Sequence, residues 1–454
     1  MLCAKRAAIV VGAVLALGLL SAACTDEPAA PLASAVRPNL DKLQNLGPQI
    51  LSSQRIPLQD GIVHYTYDVA VGTGQYDVIR LHRVVRESRP DKPVATADAV
   101  FLLPGANTFE QIFMEPLISQ AVAWDHSIAV YLAQNDIDVW GADYSWGLVA
   151  ANVTDFDFME GWGLQWDVDQ AETALSVARS IRASTGQGFG RLHLLGYSYG
   201  GMVAYSLVGQ ETQLPPGQRN VKSLVGLGAI FKLENESERA FYCDAVVDAQ
   251  AAFDAGVYSD DSGLLSRSVG EFAVSAPDDA SPVIEGFTNL QVALLLGART
   301  ELLTGRSWHF VGGSLDENGI PTGLLYTDTR LWLDVLRAAV PHSPMRSTVD
   351  ESVLLCGNVD VPFDDHLAEI AVPILQVAAA GGLAPSAYHA ATLTASKDIT
   401  NVNVQLQSDA DRVIDFGHGD LLLARDADEL VWRPILDWLL AHRSNRTYPV
   451  AGKR

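Results

Sequence analysis

Short apolar runs alternate with amphipathic segments along most of the chain, and this alternation predicts the order of the secondary structure. Residues 61–72 and 76–87 place apolar side chains at every second position around Gly72-Thr73-Gly74, which predicts an antiparallel hairpin. Continuous apolar runs, which are typical of strands buried on both faces, follow at residues 99–103, 138–140, 191–195, 221–231, 372–379 and about 401–416. Helical spacing separates several of these runs, as at 167–183 and 427–440. The pattern predicts an α/β fold, in which a mainly parallel sheet is covered by helices on both faces.

One long segment, residues 235–365, does not fit this alternation. Its spacing is mostly helical, and it contains no clear strand of the predicted sheet. We interpret it as a cap inserted between two strands. Large aromatic side chains at helical spacing are more often core than ligand contacts, so we expect most of those in the cap to be structural: Phe241, Phe253, Phe272, Phe287, Trp308, Phe310 and Trp332.

The N-terminus has the pattern of an export signal. Residues 1–23 begin with Lys5 and Arg6, continue with an apolar run too short for a membrane span, and end in small residues. Cys24 follows, and the segment resembles a bacterial lipoprotein signal, in which this cysteine carries the lipid. The alternative is an ordinary secretory peptide that is cleaved nearby. We therefore expect a bacterial cell-envelope protein, at the outer membrane in a Gram-negative source, or a secreted one.

Two further features of the sequence predict a tether after the signal and a disulfide in the cap. Residues 24–55 are rich in proline and alanine and are interpreted as a tether. Cys243 and Cys356 are an even pair in an oxidising compartment, so a disulfide is predicted, with two separate buried thiols as the alternative.

Charge and motifs exclude several functional classes. The 454 residues carry a formal charge of −23, which argues against a nucleic-acid partner. The chain contains no His-Glu-x-x-His, no Cys-x-x-Cys and no Walker loop, so neither a metal nor a cofactor is predicted.

The segment Gly196-Tyr197-Ser198-Tyr199-Gly200 carries the strongest chemical signal. It has Gly-x-Ser-x-Gly spacing, follows an apolar strand and precedes a helical segment, which is the context of a nucleophile elbow. The glycines let the strand and the helix approach closely. Ser198 would then lie at the N-terminus of a helix, whose dipole favours developing negative charge.

A serine nucleophile needs a base, and one of the ten histidines, His418, follows the last predicted strand and precedes the final helix. With Ser198 and His418 in this order, the chain resembles the α/β-hydrolases. The segment from Gly417 to Leu439 is similar to the C-terminal end of the acid-lipase branch. The resemblance covers most of residues 61–441 apart from the cap. It implies an α/β-hydrolase core with an eight-stranded sheet. Residues 56–234 form the first part of this core and residues 366–454 form the second.

The resemblance also implies an oxyanion hole of two backbone N–H groups. One belongs to Tyr199 and the other to the loop at residues 103–107, where Ala106 is the first choice and Asn107 the second. Asp143, which follows another strand, is expected to cap a loop rather than to catalyse.

The catalytic acid is the point at which the sequence departs from the family. No carboxylate follows residues 372–379, where the family usually places it. Glu234, after the preceding strand, is our first choice. Asp409 or Asp411 is the second, and a site without a conventional acid is the third.

These residues together predict an exported serine hydrolase that cleaves acyl or lipid-like carboxylic esters through an acyl-enzyme. The expected partners are a small-molecule ester and, through Cys24, a membrane. Two alternatives stay open: a cap-gated peptidase or amidase, and a non-catalytic binding protein on a hydrolase scaffold. Acyl and alcohol specificity and oligomeric state are not predicted.

Overall fold

The structure is a computed structural model that describes residues 48–443, except residues 306 and 385. The predicted signal peptide, Cys24 and most of the predicted tether lie outside the described residues. In the described part, no helix combines the length and the apolar character needed to span a membrane. This part forms fourteen strands: β1 Ile50–Pro57, β2 Ile62–Ala70, β3 Val78–Arg89, β4 Lys92–Pro93, β5 Asp98–Leu103, β6 Ile137–Asp143, β7 Leu192–Tyr197, β8 Val221–Leu227, β9 Ser259–Asp260, β10 Gly313–Leu315, β11 Pro321–Leu324, β12 Ser343–Pro344, β13 Ile374–Ala379 and β14 Ile399–Val404.

Ten of these strands form one sheet in the order β1-β2-β3-β6-β5-β7-β8-β13-β14, with β4 paired to β3. The pairs from β1 to β6 are antiparallel, and those from β6 to β14 are parallel. The predicted hairpin is present as β2 and β3. The sheet has ten strands rather than eight, because β4 pairs with the end of β3 and β1 begins at Ile50, inside the segment interpreted as a tether.

Thirteen α-helices accompany the strands in the described residues: α1 Phe109–Phe113, α2 Ile128–Gln134, α3 Leu164–Ser184, α4 Tyr199–Glu211, α5 Glu236–Asp254, α6 Ser262–Ser275, α7 Asn289–Ala298, α8 Thr300–Thr304, α9 Thr329–Arg337, α10 Met345–Cys356, α11 Ser386–Thr392, α12 Asp420–Leu423 and α13 Arg433–Ala441. Shorter helical turns lie at Glu115–Leu117, Ser145–Leu148, Asp157–Met159, Leu367–Glu369, Asp409–Ile414 and Asp428–Trp432.

The core lies on both faces of the sheet. Successive side chains of a strand point to opposite faces, so Leu194 and Leu195 of β7 belong to two different apolar clusters. One cluster packs α3, α4 and α11 against the sheet, and the other packs α2, α12 and α13. This arrangement confirms the predicted α/β fold with helices on both faces.

The predicted cap contains α5 to α10. None of the described residues in 235–305 and 307–365 joins the main sheet; they add only two small sheets, β10 with β11 and β9 with β12. Cys243 in α5 and Cys356 in α10 form the predicted disulfide, with Cα atoms 4.8 Å apart. The bond therefore ties the beginning of the cap to its end.

Two strands end earlier than the apolar pattern predicts. β8 ends at Leu227 because Gly228 has a φ of +54° and turns the chain out of the sheet direction. β14 ends at Val404, and the chain then forms the helical turn Asp409–Ile414, where Val413 is exposed. Both differences lie at the edge of the sheet that carries the candidate site.

Candidate active site

Ser198 lies in the turn between β7 and α4, with φ of 54° and ψ of −125°. Non-glycine residues rarely adopt a positive φ, and such strain is typical of functional turns. The turn is held by a hydrogen bond from the Ser198 N–H to the Leu227 carbonyl at 3.1 Å, and by one from the Gly201 N–H to the Ser198 carbonyl at 2.8 Å. A Cβ at Gly196 would lie 2.3 Å from the carbonyl oxygen of Gly200. The strand and the helix therefore approach as closely as the elbow motif predicts.

His418 lies between the turn Asp409–Ile414 and α12, and only 1% of it is exposed. Its backbone N–H donates to the His309 carbonyl at 3.0 Å. The ring of Tyr197 stacks on its imidazole at 4.8 Å between centroids. Trp308 and Phe310 of the cap contact the same ring at 5.2 and 6.0 Å. Two of the seven cap aromatics, most of which were expected to be structural, thus contact the candidate base.

Ser198 and His418 both adjoin the end of β8. Ser198 donates its N–H to Leu227. A Cβ at the next residue, Gly228, would lie 2.7 Å from Nδ1 of His418. Tyr197, which precedes the nucleophile, stacks on the histidine. The structure therefore brings the predicted nucleophile and base to the same point of the sheet edge.

The two predicted oxyanion donors lie on either side of Ser198. A Cβ at Gly105 would lie 2.7 Å from Cβ and 3.3 Å from Oγ of Ser198, so the loop that contains Ala106 and Asn107 is adjacent to the hydroxyl. Tyr199 is the first residue of α4, and the first N–H groups of a helix have no partner within it. The loop that contains Ala106 and the N-terminus of α4 therefore both lie next to Ser198, as the predicted oxyanion hole requires.

The Tyr199 side chain is anchored in the core. Its hydroxyl donates to Oδ2 of Asp167 on α3 at 2.7 Å, and the indole of Trp146 donates to Oδ1 at 3.2 Å. Burial raises the pKa of Asp167 to about 7. This carboxyl group therefore fixes the residue whose backbone N–H is a candidate oxyanion donor.

Asp420 supports the loop of His418 rather than its ring. Its carboxylate accepts the N–H groups of Gly417 at 2.8 Å and Gly312 at 2.7 Å, and the Thr327 hydroxyl at 2.6 Å. Burial raises the pKa of Asp420 to about 6. The contacts tie the histidine loop to the cap.

Glu234 is not in a position to orient His418. Its side chain is 85% exposed, and its ionic contact is with Nδ1 of His389 at 3.9 Å. Because β8 ends at Leu227, the chain runs well past the sheet edge before it reaches Glu234, which immediately precedes the N-cap of α5, Asn235. In this structure the Glu234 carboxylate therefore lies beside His389, and its role as the acid stays a prediction.

Asp409 and Asp411 are also directed elsewhere. Both are exposed in the turn Asp409–Ile414. Asp409 accepts a hydrogen bond from the Gln405 amide at 2.7 Å, and Asp411 accepts one from the Ser408 hydroxyl at 2.7 Å. The second choice for the acid is therefore not supported either, because both carboxylates bond to residues of their own loop.

A cavity of about 190 Å³ lies between the cap and the loops that follow β8 and β13. Among the described residues, one carboxylate and one guanidinium line it. Glu238 accepts hydrogen bonds from the hydroxyls of Ser386 at 2.6 Å and Ser307 at 3.3 Å, and Arg412 donates to the Ala384 carbonyl at 2.8 Å. Its other walls include residues after β8, residues after β13 and one aromatic contact of His418: Ile230, Leu233, Gly382, Leu383 and Trp308. The cavity thus borders the two strand ends after which the acid was sought.

Comparisons with known proteins show the fold and nothing finer. No known protein family and no curated protein matches the chain by sequence. A Sulfolobus solfataricus protein designated an inferred lipase has a TM-score of 0.57 and 18% identity, over 88% of this chain and 97% of that chain. A soluble variant of monoglyceride lipase from Saccharomyces cerevisiae has a TM-score of 0.40 and 11% identity, over 90% and 100% of the two chains. For a thermophilic esterase from Thermogutta terrifontis the values are 0.38 and 12%, over 84% and 99%. The last two scores are too low to carry an argument.

Proposed function

We propose that this chain, which has the α/β-hydrolase fold, is a serine hydrolase that cleaves carboxylic esters. The structural neighbour from Sulfolobus solfataricus, which carries a lipase designation, has this fold. One observation carries the proposal: Ser198 occupies a positive-φ elbow in contact with the loop at 103–107 and shares the Leu227–Gly228 segment with His418. A structural serine has no need of that combination.

The proposed reaction passes through an acyl-enzyme. The Ser198 hydroxyl attacks the ester carbonyl while His418 accepts its proton. The oxyanion then accepts hydrogen bonds from the N–H groups of Tyr199 and Ala106. When the intermediate collapses, His418 protonates the departing alcohol. His418 next takes a proton from water, which attacks the acyl group and releases the acid and the free serine.

An acyl or lipid-like ester is the substrate class that we propose. The aromatic rings of Trp308 and Phe310 contact the base from the cap, so a substrate that reaches Ser198 meets apolar side chains. An amide would react through the same groups. Initial rates with matched aryl esters and aminoacyl anilides decide between esterase and peptidase.

Labelling with a fluorophosphonate probe tests the proposal. The folded protein should be labelled at Ser198, located by peptide mapping, and Ser198→Ala should not be labelled. Ser180→Ala is a matched control, because Ser180 lies on α3 and bonds to its own helix at the Ser176 carbonyl. Labelling of Ser198→Ala at another serine would refute the assignment.

A non-catalytic binding protein is the second candidate, and one observation favours it. The predicted acids Glu234, Asp409 and Asp411 all bond away from His418. If the folded wild-type protein neither reacts with the probe nor hydrolyses any aryl ester, the scaffold function replaces the enzymatic one.

Export and lipid anchoring are proposals that rest on the sequence of residues 1–24. Incorporation of a labelled fatty acid into the full chain, and its loss in Cys24→Ser, would support the anchor. A mature protein that begins at another residue and carries no lipid would instead indicate an ordinary secretory peptide.

A further inference from the structure

A chain of buried polar groups runs through the antiparallel part of the sheet to the loop beside Ser198. Nε2 of His64 on β2 lies 2.9 Å from Nδ1 of His82 on β3. Nε2 of His82 lies 3.0 Å from Oδ2 of Asp143, the last residue of β6. The other carboxylate oxygen of Asp143 accepts the N–H of Phe109 at 2.6 Å. The two histidines are 0% exposed and Asp143 is 4% exposed, so these groups cannot exchange their partners for water.

The two rings share a proton rather than a metal ion. A carboxylate oxygen of Glu110 lies near them, and the three possible ligand atoms fall within 4.8 Å of one another. However, the rings are nearly parallel and their centroids are 5.2 Å apart. The centroid separation equals the 2.9 Å between the nitrogens plus the distance from each nitrogen to the centre of its own ring. The two nitrogens therefore lie on the line that joins the ring centres and face each other. A bound ion requires the two lone pairs to converge on a third point.

The direction of the hydrogen bonds follows from Asp143. Its carboxylate accepts the Phe109 N–H and accepts from Nε2–H of His82, which leaves Nδ1 of His82 as an acceptor for Nε2–H of His64. Burial lowers the pKa of His64 well below its usual range, so this ring stays neutral. Among the described residues, Nδ1 of His64 has no hydrogen-bond partner, so the chain begins there.

Phe109 marks the outer end of the loop that holds the candidate oxyanion donor. The loop leaves β5 at Leu103, passes Ser198 at Gly105 and enters α1 at Phe109. At its inner end the loop is fixed by β5 and by the close approach of Gly200 to the carbonyls of Leu103 and Pro104. At its outer end Asp143 holds the Phe109 N–H, and the Phe109 ring stacks on His82 at 4.5 Å.

We propose that Asp143 and His82 are positioning residues that hold the oxyanion loop against Ser198, with His64 fixing the tautomer of His82. The proposal rests on the proposed function, because the orientation of this loop matters to turnover only if its N–H groups bind an oxyanion. Misplacing a catalytic group by about 1 Å costs on the order of a hundredfold in rate. A longer bond at Phe109 therefore lowers turnover without altering the chemistry at Ser198 or His418.

The same sheet provides a matched control. His193 on β7 faces Asp98, with Nε2 and Oδ2 3.3 Å apart and side-chain exposures of 0% and 9%. Asp98 is the first residue of β5, whereas Asp143 is the last residue of the parallel strand β6. The two buried histidine–aspartate pairs therefore lie at opposite edges of the sheet, and only the Asp143 pair lies at the edge that carries Ser198.

The experiment compares Asp143→Asn with Asp98→Asn in the whole protein. Stability is measured as the urea midpoint, turnover as kcat and KM with an aryl ester, and oxyanion binding as the Ki of a trifluoromethyl ketone, whose adduct places its oxygen in the hole. We expect Asp143→Asn to lower kcat about ten- to a hundredfold, to raise Ki by a similar factor and to leave KM within about twofold. Asp98→Asn should change the urea midpoint but neither kcat nor Ki.

Other outcomes overturn the proposal. Equal losses of kcat in the two variants, or an unchanged kcat in Asp143→Asn, would show that the chain only stabilises the sheet. If Asp143→Asn does not fold, His64→Gln decides by the same kcat and Ki measurements, with about a threefold effect expected. One equivalent of tightly bound zinc that is lost in His64→Gln would replace the proton chain by a metal site. Failure of the proposed function is distinguishable, because the wild-type protein would then neither hydrolyse the ester nor bind the ketone.

Discussion

His82 and His418 are both buried and both stack on an aromatic ring, but the groups around them differ. A carboxylate holds His82 through Asp143 Oδ2. Three aromatic rings, from Tyr197, Trp308 and Phe310, surround His418. A carboxylate fixes the tautomer of an imidazole and stabilises its charged form, whereas stacked rings hold its plane.

The comparison separates two requirements that a catalytic triad combines. The arrangement of His82 is that of a histidine and its orienting acid, but what it positions is a loop. His418 adjoins the strand end that also holds Ser198, and the cap supplies part of its surroundings through Trp308. The contact with Trp308 makes the setting of the base depend on the position of the cap, so substitutions in the cap should affect turnover.

The largest expected effect is a loss of kcat, and it should separate substitutions of His418 from those of His82. His418→Asn and Ser198→Ala should each lower kcat by at least about 10³-fold, because nucleophile and base act as a unit. His82→Asn should lower kcat about tenfold at most, because it acts through the loop. Steady-state kinetics on an aryl ester, with urea midpoints to verify folding, give both values. A larger loss in His82→Asn than in His418→Asn would reverse the comparison.

The second prediction concerns Asp167, the carboxyl group that holds the side chain of Tyr199, a candidate oxyanion donor. Burial raises the folded pKa of Asp167 to about 7, above its ordinary value of 3.8. Between these values the folded protein holds a proton that the unfolded chain has lost, so the free energy of unfolding falls as pH rises. Asp167→Asn removes this dependence.

Urea unfolding at pH 4 and pH 8 measures it. Relative to the wild type, the free energy of unfolding of Asp167→Asn should rise by about 4 kcal/mol between the two pH values. Asp169→Asn is the control, since Asp169 lies on the same helix and is exposed. If the stability difference between Asp167→Asn and wild type does not change with pH, the buried carboxyl group ionises in the folded protein as it does in water.

The third prediction tests orientation by packing. Trp308→Ala should lower kcat about ten- to thirtyfold, because it removes the edge contact with His418 at 5.2 Å, and Trp308→Phe should restore most of it. The pH profile of kcat/KM distinguishes this role from simple loss of stability. A change in the surroundings of the His418 ring shifts the acidic limb of the profile, whereas a loss of stability alone does not. An Ala variant with wild-type kcat and pH profile would contradict the role of the cap.

Local signals account for the parts of this picture that the sequence predicts. The elbow at Ser198 and the alternation of strands and helices need only neighbouring residues. His418 is identifiable by its place after the last strand. The acid is not identifiable in this way. The choice of Glu234 assumed that the strand continues to Phe231 with the apolar run, but Gly228 turns the chain after Leu227.

The chain from His64 to Asp143 was also missed, although a signal for it exists. In the register of β2 and β3, Thr66 pairs with His82 and His64 pairs with Val84, so the two histidines are diagonal neighbours on one face. The hairpin predicts this face only once its register is known. Asp143 joins them because β6 is antiparallel to β3, with Asp143 opposite Arg80. That pairing is a long-range contact, which a local pattern does not contain.

The smallest effects are expected at the carboxylates once predicted to complete the triad. Glu234→Gln, Asp409→Asn and Asp411→Asn should each change kcat by less than about twofold, since an exposed charge far from the reacting atoms is screened by water. The side chain of Glu234 is 85% exposed, and the two aspartates bond to Gln405 and Ser408. Steady-state kinetics of the three variants beside wild type, in one buffer, are sufficient. A loss of a thousandfold in any one of them would mean that the cap and its neighbouring loops rearrange in solution to bring that carboxylate to His418, and the contrast between His82 and His418 would disappear.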